Sequence, residues 1–301
     1  MKGRQGAVGL AWIMLALLVA AMPCGSQASD SYGKRALSVT DSTGKSIKLE
    51  KPATRILCFS PGAIETLIKI GEGSRIIARS QSCDFPEAAL KVPLFDPAGF
   101  PSADLIIIDT VEELPKGAPK NAGAALFVYA PKNFRELADL IMALGILTGA
   151  DNAGIVAATT ITRAVTRVRN IIGRLPSTTY PRVFWQSGID PLRTCGADSF
   201  AQALISEAGG RNVFSDRKEA AFEVMEAEIV RRSPLFIVLG GSRGVRGGGE
   251  LSPAFLDVPT GAGKVGYRVI RIDDGSGTSY GPRSPTLLLA LAKAFHPDVV
   301  P

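Results

Sequence analysis

Reactive side chains are sparse in this chain, and none stands in a spacing that performs catalysis. Its one histidine, His296, directly precedes Pro297 near the C-terminus. A Ser-His-Asp relay would have to run through that residue, and its position favours a surface or capping role instead. No Gly-x-Ser-x-Gly elbow presents a serine nucleophile. The four cysteines, Cys24, Cys58, Cys83 and Cys195, have neither CxxC nor zinc-finger spacing, so no metal site is expected. Cys58 lies inside an apolar run and reads as a small buried hydrophobe. The stretch Gly240-Gly241-Ser242-Arg243-Gly244 follows an apolar strand and invites a phosphate-loop reading. It lacks the Lys-Ser/Thr ending, however, and runs on into Gly247-Gly248-Gly249. A flexible loop is the expectation there. These residues point away from an enzyme and toward a protein that binds.

Composition narrows the class. The chain has 301 residues, 46% hydrophobic and 21% charged, enough for one large core or two ordinary ones. Net charge is +6; without Lys2 and Arg4 it is +6 − 2 = +4. The basic residues are scattered and not interleaved with aromatics, which excludes a nucleic-acid binder. Residues 1–28 read as a secretory signal. Lys2 and Arg4 precede the apolar run Ala7 to Met22, and Ser26-Gln27-Ala28 supplies the small residues of a cleavage site. The run is shorter than the ~20 residues a spanning helix needs, and it breaks at Pro23 and Gly25. Pro23 also occupies the place where lipidation at Cys24 demands a small residue, which disfavours a lipoprotein. A soluble periplasmic protein is expected, in a compartment that permits one disulfide among Cys58, Cys83 and Cys195.

The elements that must position any site follow from patterning. A hairpin is expected from Val39 to Lys51, turning at Ser42-Thr43-Gly44. Strands over Arg55–Phe59, Arg75–Ala78, Leu105–Asp109 and Leu126–Ala130 alternate with a helix over Pro61–Ile70. They are short, Leu-rich or β-branched, and bounded by Gly, Pro or Asp, as buried parallel strands are. A helix over Asn133–Thr148 follows, then a long one over Asp151–Leu175, with Asp151 as N-cap and Gly173 and Pro176 at its end. Ile155, Ala158, Thr162, Val165, Val168 and Ile172 give the long helix one apolar stripe. Its length is about 36 Å, comparable to a domain diameter. Beyond Pro181 the alternation resumes, with strands over Arg182–Gln186, Leu235–Leu239 and Arg268–Ile272 and helices over Ser199–Ala208, Glu226–Arg232 and Ser284–Phe295. The fold class is therefore α/β, with two Rossmann-like lobes joined by one long α-helix and a ligand cleft between them. The boundaries are 36–150 for the N-terminal lobe, 151–175 for the connecting helix and 180–301 for the C-terminal lobe.

Two segments carry a family resemblance. RILCFSPGAIETLIKIGEGSRIIARSQSCDFPEAA, from Arg55, resembles the opening of periplasmic binding proteins for iron-siderophore complexes, haem and vitamin B12. RVFWQSGIDPLRTCGADSFAQALISEAGGRNVF, from Arg182, is similar to that family's second lobe, including Gly209, Gly210 and Asn212. Tyr280-Gly281-Pro282-Arg283-Ser284-Pro285 and Ala294-Phe295-His296-Pro297 are similar to its closing segment. The resemblance runs in order along the chain after residue 28. It implies a ligand held between lobes, delivered to the permease dimer of an ABC importer, with each lobe offering a surface acid to permease arginines. Glu65 matches the first-lobe acid. The second-lobe position falls on Ala227, with Glu226 and Glu228 on either side.

By the same resemblance Ser82, Cys83, Asp84, Phe85, Trp185, Arg193, Cys195 and Tyr280 fall at the cleft rim. Arg79, Arg193, Arg243, Arg246 and Arg283 stand at strand ends or in loops nearby, and guanidinium forks suit the carboxylate or catecholate oxygens of anionic ferric siderophores. Trp185 and Tyr280 could pack a macrocycle or an aromatic chelator. Phe85 occupies the place where haem-binding relatives often carry a ligating tyrosine, which lowers haem. Val92 to Leu105 is shorter than in relatives, so one pocket wall is expected to be reduced. The expectation is a monomeric carrier of a ferric siderophore without a resident cofactor. A corrinoid carrier is the alternative, and a doubly wound α/β enzyme the remote one.

Overall fold

The apolar runs bounded by Gly, Pro and Asp form parallel strands in two separate sheets. The computed structural model describes residues 36–99, 101–111, 114, 123–240, 259–260, 263–264, 266–272, 277 and 279–300. The expected signal segment with Cys24, and the loop arginines Arg243 and Arg246, lie outside the described residues.

The first lobe opens on an antiparallel hairpin, β1 (Leu37–Thr40) and β2 (Ser46–Leu49). Asp41 fixes its turn by accepting from the backbone N–H of Thr43 and Lys45. Strand β3 (Ile56–Cys58) then runs into helix α1 (Pro61–Lys69). Ser60 caps that helix by accepting from Ala63 N at 3.2 Å, and Pro61 fills the first turn, where its missing N–H costs nothing. Strands β4 (Ile76–Arg79), β5 (Leu105–Ile108) and β6 (Ala125–Val128) complete an all-parallel sheet in the order β4-β3-β5-β6. Every residue of β3 and β5 is buried, which explains their unbroken apolar character.

Helix α2 (Phe134–Thr148) starts with a capping box: Asn133 accepts from Glu136 N, and Glu136 reaches back to Lys132 N. It packs on the long helix α3 (Asp151–Ile172). Gly145 and Gly154 let the two backbones close, since a Cβ on Gly145 would lie 3.1 Å from the Gly154 Cα. The long helix ends at Ile172 rather than Leu175, and Asp151 is its first residue while Ala150 holds the cap position. Its buried stripe is Ala157, Ala158, Ile161, Val165, Val168 and Ile172; Ile155, expected inside, is exposed.

The second lobe comprises β7 (Arg182–Gln186), β8 (Gly188–Ile189), β9 (Leu192–Thr194), α4 (Phe200–Glu207), β10 (Arg211–Asn212), β11 (Phe222–Glu223) and α5 (Glu226–Arg232). Strand β12 (Phe236–Leu239), the small hairpin β13 (Pro259–Thr260) and β14 (Gly263–Lys264), β15 (Arg268–Arg271) and α6 (Ser284–Phe295) follow. Its parallel sheet has the order β10-β7-β12-β15, flanked by a small antiparallel sheet β11-β9-β8. Helix α3 packs on α2 from the first lobe and on α4 and α6 from the second, so one rod serves both cores. His296 closes α6; it is buried rather than on the surface, with Nε2 3.0 Å from Gly209 O and its ring edge-on to Tyr180.

Candidate functional site

Open parallel sheets collect ligands at the carboxyl ends of their strands, and both sheets turn those ends to one cavity of about 330 Å³. The first lobe contributes Asp109 and Thr110 after β5, then Tyr129 to Lys132 after β6, and Gly62 from the first turn of α1. The second contributes Trp185 at the end of β7, Ser187 just beyond it, Cys195 after β9 and Asp198 to Ala201 at the start of α4. Ala220, Ala221, Gly277, Ser279 and Tyr280 complete the wall.

The surface is aromatic. Tyr280 stacks on Phe200 with ring centroids 4.3 Å apart and planes 24° apart, and Phe200 leans on Phe134 at 4.9 Å. Tyr129 shares a 3.0 Å hydrogen bond with Thr66 of α1, and Tyr280 donates its hydroxyl proton to Gly277 O at 3.1 Å. These bonds satisfy the phenols internally, with Tyr129 buried in the wall and Tyr280 half-buried. Burial pushes the Tyr129 and Tyr280 phenols up from their ordinary range, and it pushes the Cys195 thiol up to about 12. All three are neutral at physiological pH.

Among the described residues, Lys132–Asp198 and Glu65–Arg283 join the lobes as ion pairs. At the mouth, Lys132 Nζ of the first lobe lies 3.9 Å from Asp198 Oδ2 of the second, with side chains 56% and 61% exposed. Beyond the cavity lining, at a contact termed the floor, Glu65 on α1 meets Arg283 just before α6. Its Oε1 accepts from Arg283 N at 2.9 Å and its Oε2 lies 2.9 Å from Arg283 Nε, the two side chains being 7% and 14% exposed. The Arg283 guanidinium also covers the Phe85 ring at 3.9 Å. Gly62 is required beside this contact, because a Cβ there would lie 2.3 Å from Tyr280 O.

Three of the residues expected at the rim, Trp185, Cys195 and Tyr280, line the cavity. The others do not. Ser82 hydrogen-bonds to Ser80, and Cys83 turns into the core beside Cys58, its Sγ 3.6 Å from Cys58 O. Asp84 is half-buried on that same loop, away from the cavity lining, and Phe85 sits under Arg283. Arg193 is exposed on β9, its stem against Gly188. Arg283 is engaged by Glu65, and Arg79 is buried, donating to the carbonyls of Val92 and Ser80. The arginine clamp is therefore absent from the described lining. Cys58, Cys83 and Cys195 are free thiols. Glu65, expected as a surface acid, is buried because α1 faces the second lobe at that turn. Glu226 is exposed at the start of α5, whereas Glu228 pairs with Arg231 and Arg232.

Sequence reasoning missed Tyr129, Phe200, Asp109, Lys132 and Asp198. The available signal was position. Asp109 and Tyr129 each follow directly on a parallel strand, and Asp198 and Phe200 flank the Ser199 cap of α4.

No family model matches the chain. It is 26% identical over 200 residues, 62% of this chain and 71% of the other, to the vitamin B12-binding protein of Pectobacterium carotovorum subsp. carotovorum (strain PC1). A periplasmic haem-binding protein from Pseudomonas aeruginosa superposes with TM-score 0.66 at 19% identity, covering 82% of this chain and 94% of the other. An ABC-type Fe3+-hydroxamate transport system protein from Saccharomonospora viridis DSM 43017 gives TM-score 0.63 at 17% identity, covering 86% and 98%. The chain shares the two-lobe α/β fold of these periplasmic binding proteins and is similar in sequence to one that binds vitamin B12.

Proposed function

We propose that the protein is an extracytoplasmic substrate-binding protein that captures a metal chelate, foremost a ferric siderophore, and delivers it to the permease dimer of an ABC importer. The observation that carries this reading is the aromatic cleft built from the strand ends of both lobes. Support for a carrier over an enzyme comes from the chemistry of that lining, where the thiol and both phenols are held neutral. A corrinoid is the second reading, favoured by the vitamin B12-binding relative. In this reading residues 1–28 are an export signal, 36–150 and 180–301 are the lobes, 151–175 is the connector, and the mature protein acts as a monomer. No helix among the described residues is long and apolar enough to cross a membrane.

Docking to the importer falls to Glu226 in this reading, with Glu228 held back by its own arginines. Glu226→Arg should leave chelate affinity unchanged and abolish uptake in reconstituted vesicles; uptake at the wild-type rate would remove that role. Binding itself is testable by fluorescence. The chain has 2 tryptophans, Trp12 in the expected signal and Trp185 in the cleft wall. In the processed protein Trp185 reports alone, and saturable quenching by ferric chelates or cobalamin at micromolar concentration is expected. Turnover of a nucleotide or flavin substrate would defeat the carrier reading.

A further inference from the structure

We infer that the cleft takes an electroneutral metal chelate whose own ligands already fill the metal's coordination sphere, and that it discriminates against polyanionic chelates. The inference rests on the binding-protein reading above and names the ligand's class. It follows first from charge. The described lining carries two acids, Asp109 and Asp198, against one base, Lys132. The starts of α1 and α4 also face the cavity through Gly62 and Phe200, and each helix start supplies about half a positive charge. The sum is close to zero, and no guanidinium among the described lining residues offers a fork to a carboxylate or catecholate.

Donor chemistry points the same way. A haem iron with an open axial position takes a thiolate, phenolate or imidazole from the protein. Cys195 keeps its proton up to about 12, and Tyr129 and Tyr280 are held protonated by burial and spend their hydroxyl hydrogen bonds on Thr66 and Gly277. His296 is occupied beside Gly209, at the end of α6. The cavity is instead walled by aromatic side chains, Tyr129, Trp185 and Phe200, which are buried, and Tyr280, which is half-buried and stacked on Phe200. Such a surface holds a ligand by its hydrophobic face, with little cost from desolvated charge.

A panel of chelates tests this. The processed protein is titrated, following Trp185 fluorescence, with a neutral ferric trihydroxamate, cyanocobalamin, a trianionic ferric tricatecholate and haem. At least one neutral, saturated chelate should bind at least about tenfold more tightly than the tricatecholate, and its affinity should hold between low and high salt because no exposed ion pair carries it. Tighter binding of the tricatecholate, or a haem complex whose absorption shows an axial thiolate or phenolate, would overturn the inference and leave the carrier reading standing. If none of the four binds, the carrier reading itself fails and the inference with it.

Discussion

The ion pairs Lys132–Asp198 and Glu65–Arg283, which both connect the lobes, differ in nearly every respect. Lys132–Asp198 is long, exposed and single-pronged; Glu65–Arg283 is buried and two-pronged, with its guanidinium over the Phe85 ring. An exposed pair of that kind contributes about 0–1 kcal/mol. Breaking a buried pair by removing one partner costs about 3–5 kcal/mol, because the survivor is left as a buried charge. Both pairs lie between the same lobes, so the contrast assigns them different work. The floor holds the lobes in register while the mouth can open at little cost. On the proposed carrier reading both properties are needed, since a ligand must enter and leave without the cleft being taken apart.

Breaking the floor should have the largest effect. Glu65→Ala should lower stability by about 3–5 kcal/mol in chemical denaturation, and a loss below 1 kcal/mol would show that the floor pair is no stronger than the mouth. Gly62→Ala comes next, because its Cβ would meet Tyr280 O at 2.3 Å. Overpacking of this kind costs about 1–3 kcal/mol, and the melting temperature should fall accordingly. At the mouth, Lys132→Ala should change stability by less than about 1 kcal/mol while stopped-flow mixing shows altered association or release rates. A stability loss matching that of Glu65→Ala would erase the distinction.

The last effect is a pH dependence at the cleft that is silent at neutral pH. A thiol raised to about 12 from an ordinary value of 9.0 keeps its proton longer in the folded chain than in the unfolded one. Its contribution to stability is therefore complete below pH 9.0 and lost as pH rises toward 12. Cys195→Ala should flatten the alkaline limb of the stability curve. An unchanged limb would place the thiol in water.

The periodicities that made these elements legible are local. Strand runs such as Leu105–Ile108 and helix starts near Pro61, Asn133 and Ser199 appear in the sequence because each is settled within a few residues, although the cap expected at Asp151 falls on Ala150. The rod was legible too, though its inward face was misjudged at Ile155, where an apolar side chain points to solvent. The contacts of Glu65 were not legible. Its partner lies 218 residues away, and nothing local to α1 says which face meets the second lobe. The same holds for Lys132 with Asp198 and for the stack of Phe200 on Tyr280, which exist only once two separately folded sheets meet. Among the described residues, the arginines expected near the cleft, Arg79, Arg193 and Arg283, stand elsewhere, and guanidinium groups also serve buried backbone carbonyls, as Arg79 does.

A structure of the protein bound to a neutral ferric trihydroxamate or to cyanocobalamin probes the division between mouth and floor most directly. Ligand density should lie against Tyr129, Trp185, Phe200 and Tyr280, with Lys132 drawn away from Asp198 and with Glu65 still bound to Arg283. Density outside this cleft, or a ligand seated with Glu65–Arg283 broken and Lys132–Asp198 intact, would contradict it.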